Sequence, residues 1–174
     1  MTSEEKQKSA LRALRMQDFA VAEQYANELV EEYPYSWHAR MLLGTVKTQQ
    51  KQYEQAEEVF REAIKLQPEN AEGYNNLAVV NRHQGKLDEA LELARTALNF
   101  APDRADILYN LGNIRKRMDD DQAAQDAYRR AIEVDPNFVM AYNNLGTLLE
   151  QDGEHQKAFE VLLQGLELDH NHPM

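Results

Sequence analysis

The sequence contains no cysteine among its 174 residues. A disulfide framework, a thiol nucleophile and a thiolate metal site are therefore excluded. Long apolar runs are missing as well. No segment approaches the roughly 18 apolar residues of a membrane-spanning helix, and the N-terminal Met-Thr-Ser-Glu-Glu-Lys lacks the apolar stretch of a secretory signal peptide. We therefore expect no membrane partner, no export and a cytoplasmic location.

Basic residues are also few compared with acidic ones. The 19 basic residues are outnumbered by 30 acidic ones, which gives a formal net charge of −11. Such a chain repels the phosphate backbone of nucleic acids and the surface of an anionic membrane. Alternating runs of β-branched residues are absent, whereas Ala, Leu, Glu, Gln and Lys supply a helix-favouring composition. The composition predicts an all-α protein without a sheet and argues against a nucleic-acid partner.

What the sequence does contain is a repeat of 34 residues. Prolines recur at this interval at Pro34, Pro68, Pro102 and Pro136, and alanines keep the same period at Ala22, Ala56, Ala90, Ala124 and Ala158. A fixed period of this length is the signature of a repeat array. We predict a single array over residues 1–174, with units at about 3–36, 37–70, 71–104, 105–138 and 139–172.

Each unit has the pattern of two helices joined by a turn, because apolar residues recur three and four apart in both halves. The turn falls at Gly85 and Gly153 in two units, whereas Lys51 and Asp119 hold the same column in two others. The turn geometry is therefore expected to persist without glycine, with some strain. Short polar residues that follow the prolines are the expected helix N-caps, namely Asn70, Asp103 and Asn137.

A leucine followed by a small residue stands on the first helix of four units, as Leu43-Gly44, Leu77-Ala78, Leu111-Gly112 and Leu145-Gly146. We expect each small residue to pair with an alanine of the second helix, so that the two backbones approach closely. With the alanine columns, an aromatic position and the terminal prolines, these pairs resemble the tetratricopeptide repeat over nearly the whole chain. The resemblance implies an α-solenoid, a right-handed superhelix of about five units whose first helices line a concave groove for a protein or peptide.

The first unit departs from this pattern, with Ser9-Ala10 in place of Leu-Gly. We interpret it as a terminal repeat that also caps the array, opened by a capping box of Thr2 and Glu5. Trp37 lies outside the column in which the family often carries a tryptophan. We expect it to pack between the first two units.

An asparagine column precedes the core leucine of three units, at Asn76, Asn110 and Asn144. In the family this position points into the groove, and the column resembles the asparagine ladder of O-GlcNAc transferases, which implies a similar manner of peptide binding without enzymatic activity. A carboxamide can both accept from a peptide N–H and donate to a peptide C=O. Alternatively, these asparagines tie neighbouring helices together or face solvent. The other candidate groove residues are Asn75, Arg82, Tyr109, Asn113, Lys116, Arg117 and Asn143.

The basic residues Arg82, Lys116 and Arg117 lie near the ends of two first helices. They favour a ligand with carboxylates or a free C-terminus, or they only complement the helix dipoles. A receptor for the C-terminal tails of chaperones is disfavoured. The columns of the family's carboxylate clamp here hold Gln7, Leu11, Leu42, Glu72 and Asn76.

Nothing in the sequence indicates catalysis. The 5 histidines show no HExxH spacing, and the chain has no nucleophile motif and no glycine-rich phosphate loop. Asp169, His170 and His172 form a short terminal cluster that we interpret as solvated rather than metal-binding. We predict a protein that is not an enzyme and that uses no metal or cofactor.

Three functions stay open. They are a non-catalytic scaffold that binds an extended peptide in its groove, an N-terminal substrate-recruiting region of a larger enzyme such as a glycosyltransferase, and a scaffold that assembles with its own copies. Pro173 and Met174 fall where a sixth unit would begin. We therefore expect an uncovered apolar patch on the last helix, for which a longer protein or a second copy would supply the cover. Its residues are Phe159, Leu162, Leu163 and Leu166.

Overall fold

The structure, a computed structural model, describes residues 1–170. Within that range the chain forms helices joined by short turns, and it contains no strand. The helices are α1 Ser3–Arg15, α2 Phe19–Glu32, α3 Trp37–Gln49, α4 Tyr53–Leu66, α5 Ala71–His83, α6 Leu87–Phe100, α7 Ala105–Arg117, α8 Asp121–Val134, α9 Val139–Gln151 and α10 His155–His170. The all-α class predicted from the sequence is confirmed.

Helices that open a repeat begin at the residues where the 34-residue period places the start of each unit, at Ser3, Trp37, Ala71, Ala105 and Val139. Consecutive helices pack as hairpins, as in α1 on α2, α3 on α4, α7 on α8 and α9 on α10. The chain forms two compact units, one of residues 1–93 and one that begins at residue 94. The organisation of all the repeats as one array stays a prediction.

Left-handed backbone conformations make the turn inside the repeats. Gly85 and Gly153 have φ angles of 77° and 78°, which glycine adopts readily. Gln17, Lys51 and Asp119 adopt the same conformation with φ angles of 59°, 61° and 58°. A β-carbon makes this region unfavourable by roughly 1–2 kcal/mol per residue. The turn therefore persists without glycine, as predicted, with local strain.

Two of the predicted helix starts have the expected side-chain caps. Thr2 Oγ1 accepts a hydrogen bond from the Glu5 backbone N–H at 3.2 Å, and Glu5 Oε2 accepts one from the Thr2 backbone N–H at 2.7 Å. Asn70 Oδ1 accepts from the backbone N–H of Glu72 at 3.0 Å. The capping box at the first repeat and the asparagine cap at the third are confirmed.

The other two predicted caps are wrong. The N-cap of α7 is Arg104 and that of α9 is Phe138, so Asp103 and Asn137 each lie one residue too early. The physical reason is register: the N-cap stays two residues after each proline. In these units that position holds side chains that do not cap the helix.

Glycines on the first helices make room for large side chains rather than for alanines, which corrects the expected packing. A β-carbon added to Gly44, Gly112 or Gly146 would lie 2.5, 2.4 or 2.5 Å from a side-chain atom of the second helix. The facing side chains are Phe60, Tyr128 and Leu162. Each stands four residues, one helical turn, after the alanine column, whose own members are fully buried. In these three hairpins a large side chain of the second helix therefore packs directly against a glycine of the first.

Trp37 packs further along the chain than predicted. It is buried, and it belongs to a core cluster with Met41 and Phe60 that also includes Leu77 of α5. The residues that join the first repeat to α3 form a different cluster, which includes Ala10 and Ala22 with Leu42 and Val46. Because Trp37 and Met41 are one turn apart on α3, the same face carries both toward the second and third repeats.

Candidate functional site

The best-defined group of predicted site residues lies in the compact unit that begins at residue 94. There α7 and α9 both pack against α8. Spacings of three and four place the predicted residues of α7 on one side of that helix. These residues are Tyr109, Asn110, Asn113, Lys116 and Arg117.

Asn144 of α9 lies at the centre of a hydrogen-bond network that joins three helices. Its Nδ2 donates to Asn113 Oδ1 at 2.9 Å and lies 3.3 Å and 3.4 Å from the hydroxyl oxygens of Tyr109 and Tyr128. The Tyr128 hydroxyl donates to the same Asn113 oxygen at 2.9 Å. Asn144 therefore ties neighbouring helices together, which is the alternative role considered for the asparagine column.

This network decides which atoms of the two amides remain available. Asn113 Oδ1 already accepts from Asn144 and from Tyr128, so the Nδ2 hydrogens are what Asn113 can still offer. Asn144 Nδ2 is used inside the network, so its Oδ1 remains as an acceptor. Both side chains are only half-buried. The Asn113–Asn144 pair can thus offer a donor and an acceptor close together.

Aromatic packing holds the hydroxyl groups of this network in place. The Tyr109 ring centroid lies 5.8 Å from that of Tyr128 and 5.3 Å from that of Phe138. Tyr128 is fully buried. Sequence reasoning missed both Tyr128 and Phe138 as parts of the site. The available signal was a tyrosine in a core column opposite Gly112, because a buried tyrosine hydroxyl needs a hydrogen-bonding partner.

Three further predicted residues of this unit, Asn143, Lys116 and Arg117, make no hydrogen bond with the Asn113–Asn144 pair. Asn143 is exposed and faces α10, since its Oδ1 lies 3.6 Å from where a β-carbon of Gly165 would be. Lys116 is half-buried and Arg117 is exposed, and neither has an ion-pair partner within residues 1–170. The neighbouring Arg115 is neutralised by Asp120 at 2.9 Å. Two cationic side chains therefore remain at the end of α7.

In the unit of residues 1–93 the neighbouring asparagines Asn75 and Asn76 have different environments. Asn75 is 4% exposed, which leaves little surface for a ligand. Asn76 is half-buried and lines a shallow depression of about 150 Å³. The other lining residues are Thr45, Thr48, Gln49, Phe60 and Val79. Sequence analysis did not single out the α3 residues of this depression. Arg82, at the end of α5, is half-buried.

Over residues 1–170 no helix combines the length and apolar character needed to cross a bilayer. No group of three or more His, Asp or Glu side chains in the described part is arranged to hold a metal ion. His172 and the side chains of Asp169 and His170 lie outside the described residues.

The helix hairpins and their 34-residue period define a helical-repeat protein of the α-solenoid class. Sequence models described as tetratricopeptide repeat match residues 36–103, 69–137 and 127–160. These ranges cover well over half of the chain, and the chain therefore belongs to the tetratricopeptide repeat family. None of the curated proteins compared with the chain matches its sequence.

Several solved structures share the fold at low sequence identity. MamA from Desulfovibrio magneticus RS-1 is 20% identical with a TM-score of 0.76, and the match covers 99% of this chain and 97% of that one. A thermophilic tetratricopeptide-repeat protein of Thermus thermophilus is 15% identical with a TM-score of 0.86, covering 98% of this chain and 93% of that one. The APC/C hetero-tetramer Cut9–Hcn1 gives 17% identity and a TM-score of 0.87, covering 98% of this chain and 34% of that one.

Proposed function

We propose that this chain is a protein-interaction module that binds an extended segment of a partner protein through the segment's backbone, without catalysis. The observation that carries the proposal is the Asn113–Asn144 pair. One amide has its oxygen occupied and keeps its N–H donors, and the other has its nitrogen occupied and keeps its carbonyl acceptor. An extended peptide presents the complementary C=O and N–H groups at short intervals along its length.

Preorganisation supports a binding role for this pair. An asparagine on an exposed helix can rotate, and ordering it costs entropy when a ligand binds. Here the network from Tyr128 and Tyr109 already holds the two amides in one orientation. Binding to the remaining atoms would therefore require little further ordering of the protein.

The wider asparagine column remains part of the proposal. First helices stacked about 10 Å apart would meet an extended peptide, which advances about 3.3 Å per residue, at every third residue or so. Asn110, on α7 of the same compact unit, would then bind the same extended peptide as Asn144, in the manner of the O-GlcNAc transferase ladder, and Asn76 would bind a peptide in the same way in the unit of residues 1–93. That one similar structure is of a hetero-tetramer supports a role in protein assembly for the fold.

Charge at the end of α7 suggests which ligands bind best. Lys116 and Arg117 have no partners within the described residues and lie on the helix that carries Asn113. We propose that a carboxylate of the ligand, either a side chain or a free C-terminus, binds beside the Asn113–Asn144 pair, which we call the backbone clamp. Affinity for an acidic peptide should then fall as salt is raised and should lose most of that dependence in the Lys116→Gln, Arg117→Gln variant.

The backbone clamp is tested with a random peptide of about ten residues selected on the full chain by display. Its affinity is measured by calorimetry, and each backbone amide of the peptide is then N-methylated in turn. Methylation at the amide that meets Asn144 should weaken binding about tenfold or more, whereas side-chain replacement at the same position should not. Asn113→Ala should weaken binding about threefold to tenfold, for the loss of one to two hydrogen bonds.

Asn143→Ala is the matched control, because Asn143 is an exposed asparagine next to Asn144 that does not join the pair. It should bind the peptide like the wild type. Tyr128→Phe should weaken binding less than Asn113→Ala, since it loosens the network and leaves both amides present. Equal affinity of wild type and Asn113→Ala, with helical content unchanged in both, would contradict the proposed function.

A further inference from the structure

The last helix carries an apolar stripe that the rest of the described chain does not cover. Phe159 and Leu166 are 63% and 54% exposed, and Leu162 and Leu163 are 38% and 42% exposed. Their spacing of three, four and seven residues places them along one side of α10. We call these four residues the terminal face. A contiguous exposed apolar surface of this kind marks an interaction site.

Comparison with the same columns in other repeats shows what is unusual here. One repeat earlier, the positions of Phe159 and Leu163 hold Gln125 and Arg129, and two further repeats hold Glu23 with Asn27 and Glu57 with Arg61. Only the third repeat has an apolar residue in either column, Leu91. The polar residues contact the following repeat. Glu23 pairs with Lys47, Glu57 with Lys86 at 2.8 Å, and Gln125 donates to Asp152.

This difference constrains what can cover α10. A following repeat built like those that contact Glu23, Glu57 and Gln125 would offer a lysine or an aspartate, from its first helix or from the turn after it, to the position of Phe159. An aromatic ring there cannot pair with such a group and would bury it without a partner, which is unfavourable. An element that brings apolar side chains to Phe159 and Leu163 as well as to Leu162 and Leu166 avoids this cost.

Charge along the edge of the terminal face selects the chemistry of the partner. Glu160 directly follows Phe159 and lies along one edge of the stripe. Glu150 stands at the end of the adjacent helix, beside His155 at 3.0 Å. A second copy pairing antiparallel through α10 would bring two such acidic edges together, and the chain already carries a net charge of −11. Like charges therefore disfavour self-pairing.

Two ion pairs inside the protein show which side chains meet an acidic residue on the second helix of a repeat. Glu23 on α2 is met by Lys47 of α3, and Glu57 on α4 is met by Lys86. In both cases a carboxylate on the second helix of a repeat pairs with a lysine of the next repeat. From these contacts and from the terminal face, we infer that the terminal face binds an amphipathic helix of a partner protein. That partner helix carries its own apolar stripe, flanked by Lys and Arg. This site is separate from the proposed backbone clamp of Asn113 and Asn144.

The probe is a synthetic peptide of about 18 residues, long enough to form a helix, with leucines at helical spacing flanked by lysines. A matched peptide carries glutamates in place of the lysines, and another carries alanines in place of the leucines. Fluorescence anisotropy with the full chain should show binding of the lysine-flanked peptide. Both matched peptides should bind at least about tenfold more weakly.

Phe159→Gln with Leu163→Asn places the residues of the fourth and first repeats into the fifth without changing charge. This variant should fold normally and bind the lysine-flanked peptide at least about tenfold more weakly than wild type. Asn113→Ala should bind it unchanged, which separates this inference from the proposed function. Equal binding of the lysine- and glutamate-flanked peptides, or of wild type and variant, would overturn the inference. So would a wild-type dimer in sedimentation that the variant abolishes, since that result assigns the face to a second copy.

Discussion

Replacing Gly112 by alanine tests the packing rule that closes the hairpins. A β-carbon at Gly112 would lie 2.4 Å from Tyr128 Cε1 and 2.7 Å from Cδ1, whereas carbon atoms normally approach to about 3.5 Å. The ring would have to move by about 1 Å. Tyr128 is fully buried among residues such as Leu108 and Leu145, so the ring has no free space to enter. Any shift also disturbs its hydrogen bond to Asn113.

The expected cost follows from two opposing effects. Overpacking a filled core typically destabilises by about 1–3 kcal/mol. Replacing a helical glycine by alanine stabilises by roughly 1 kcal/mol through helix propensity. We therefore expect Gly112→Ala to lower the free energy of unfolding by up to about 2 kcal/mol. Urea denaturation followed by circular dichroism measures this change, provided that the free energy of unfolding depends on urea concentration with the same slope in both proteins.

A second background makes the test decisive. Tyr128→Ala alone should cost about 3–5 kcal/mol, because it empties a fully buried site. In that background the clash is gone, so Gly112→Ala should now stabilise by about 0.5–1 kcal/mol. The pair would then match Ala78 and Ala94, which hold these positions in the third repeat. If Gly112→Ala has the same sign in both backgrounds, the ring over the glycine is not what determines its effect.

Three further predictions follow from the described geometry. Gly85→Ala should destabilise by about 1 kcal/mol, measured by urea denaturation, because φ is 77° and no atom lies near enough for a clash to contribute. Ala124→Leu should cost about 1–3 kcal/mol in the same assay, because Ala124 is fully buried, and an unchanged midpoint would contradict the packing. Hydrogen bonds from Lys47 and then Gln50 lower the pKa of Glu23 below 4.5. Their stabilisation is present above pH 4.5 and is lost as the pH falls through the folded-state pKa, so Glu23→Gln should lower stability at pH 7 and matter progressively less under acid.

The 34-residue period of the sequence was enough to predict the order of the helices and where the first helix of each repeat begins. A 34-residue spacing fixes where each helix must begin, since a turn and a proline return in every repeat. It did not fix the caps, because Asp103 and Asn137 have good capping side chains one residue before the true N-cap. It also misplaced Trp37, because the pattern of one helix gives its buried side but not which neighbouring repeat lies against it.

Prediction of the site was limited by contacts among three helices. The sequence shows that Asn113 and Asn144 stand on first helices, 31 residues apart. It does not show that Tyr128 reaches between them from α8 to donate to Asn113. Helical periodicity describes one helix at a time, whereas the availability of an amide depends on what the next helix places beside it. The asparagine column could thus be found without knowing which of its atoms are used internally.

Asn144 shows how one residue can serve both packing and binding. An amide has a donor end and an acceptor end, so a residue whose nitrogen ties α9 to α7 still has a carbonyl oxygen for another partner. Aspartate would lose the donors and bring a carboxylate against the Asn113 oxygen, and leucine would lose the acceptor as well. If both roles operate, Asn144→Asp should therefore reduce stability as well as peptide affinity, whereas Asn143→Asp should change stability little, because Asn143 is exposed. A loss of affinity without any loss of stability would mean that the network contributes nothing to holding the helices together.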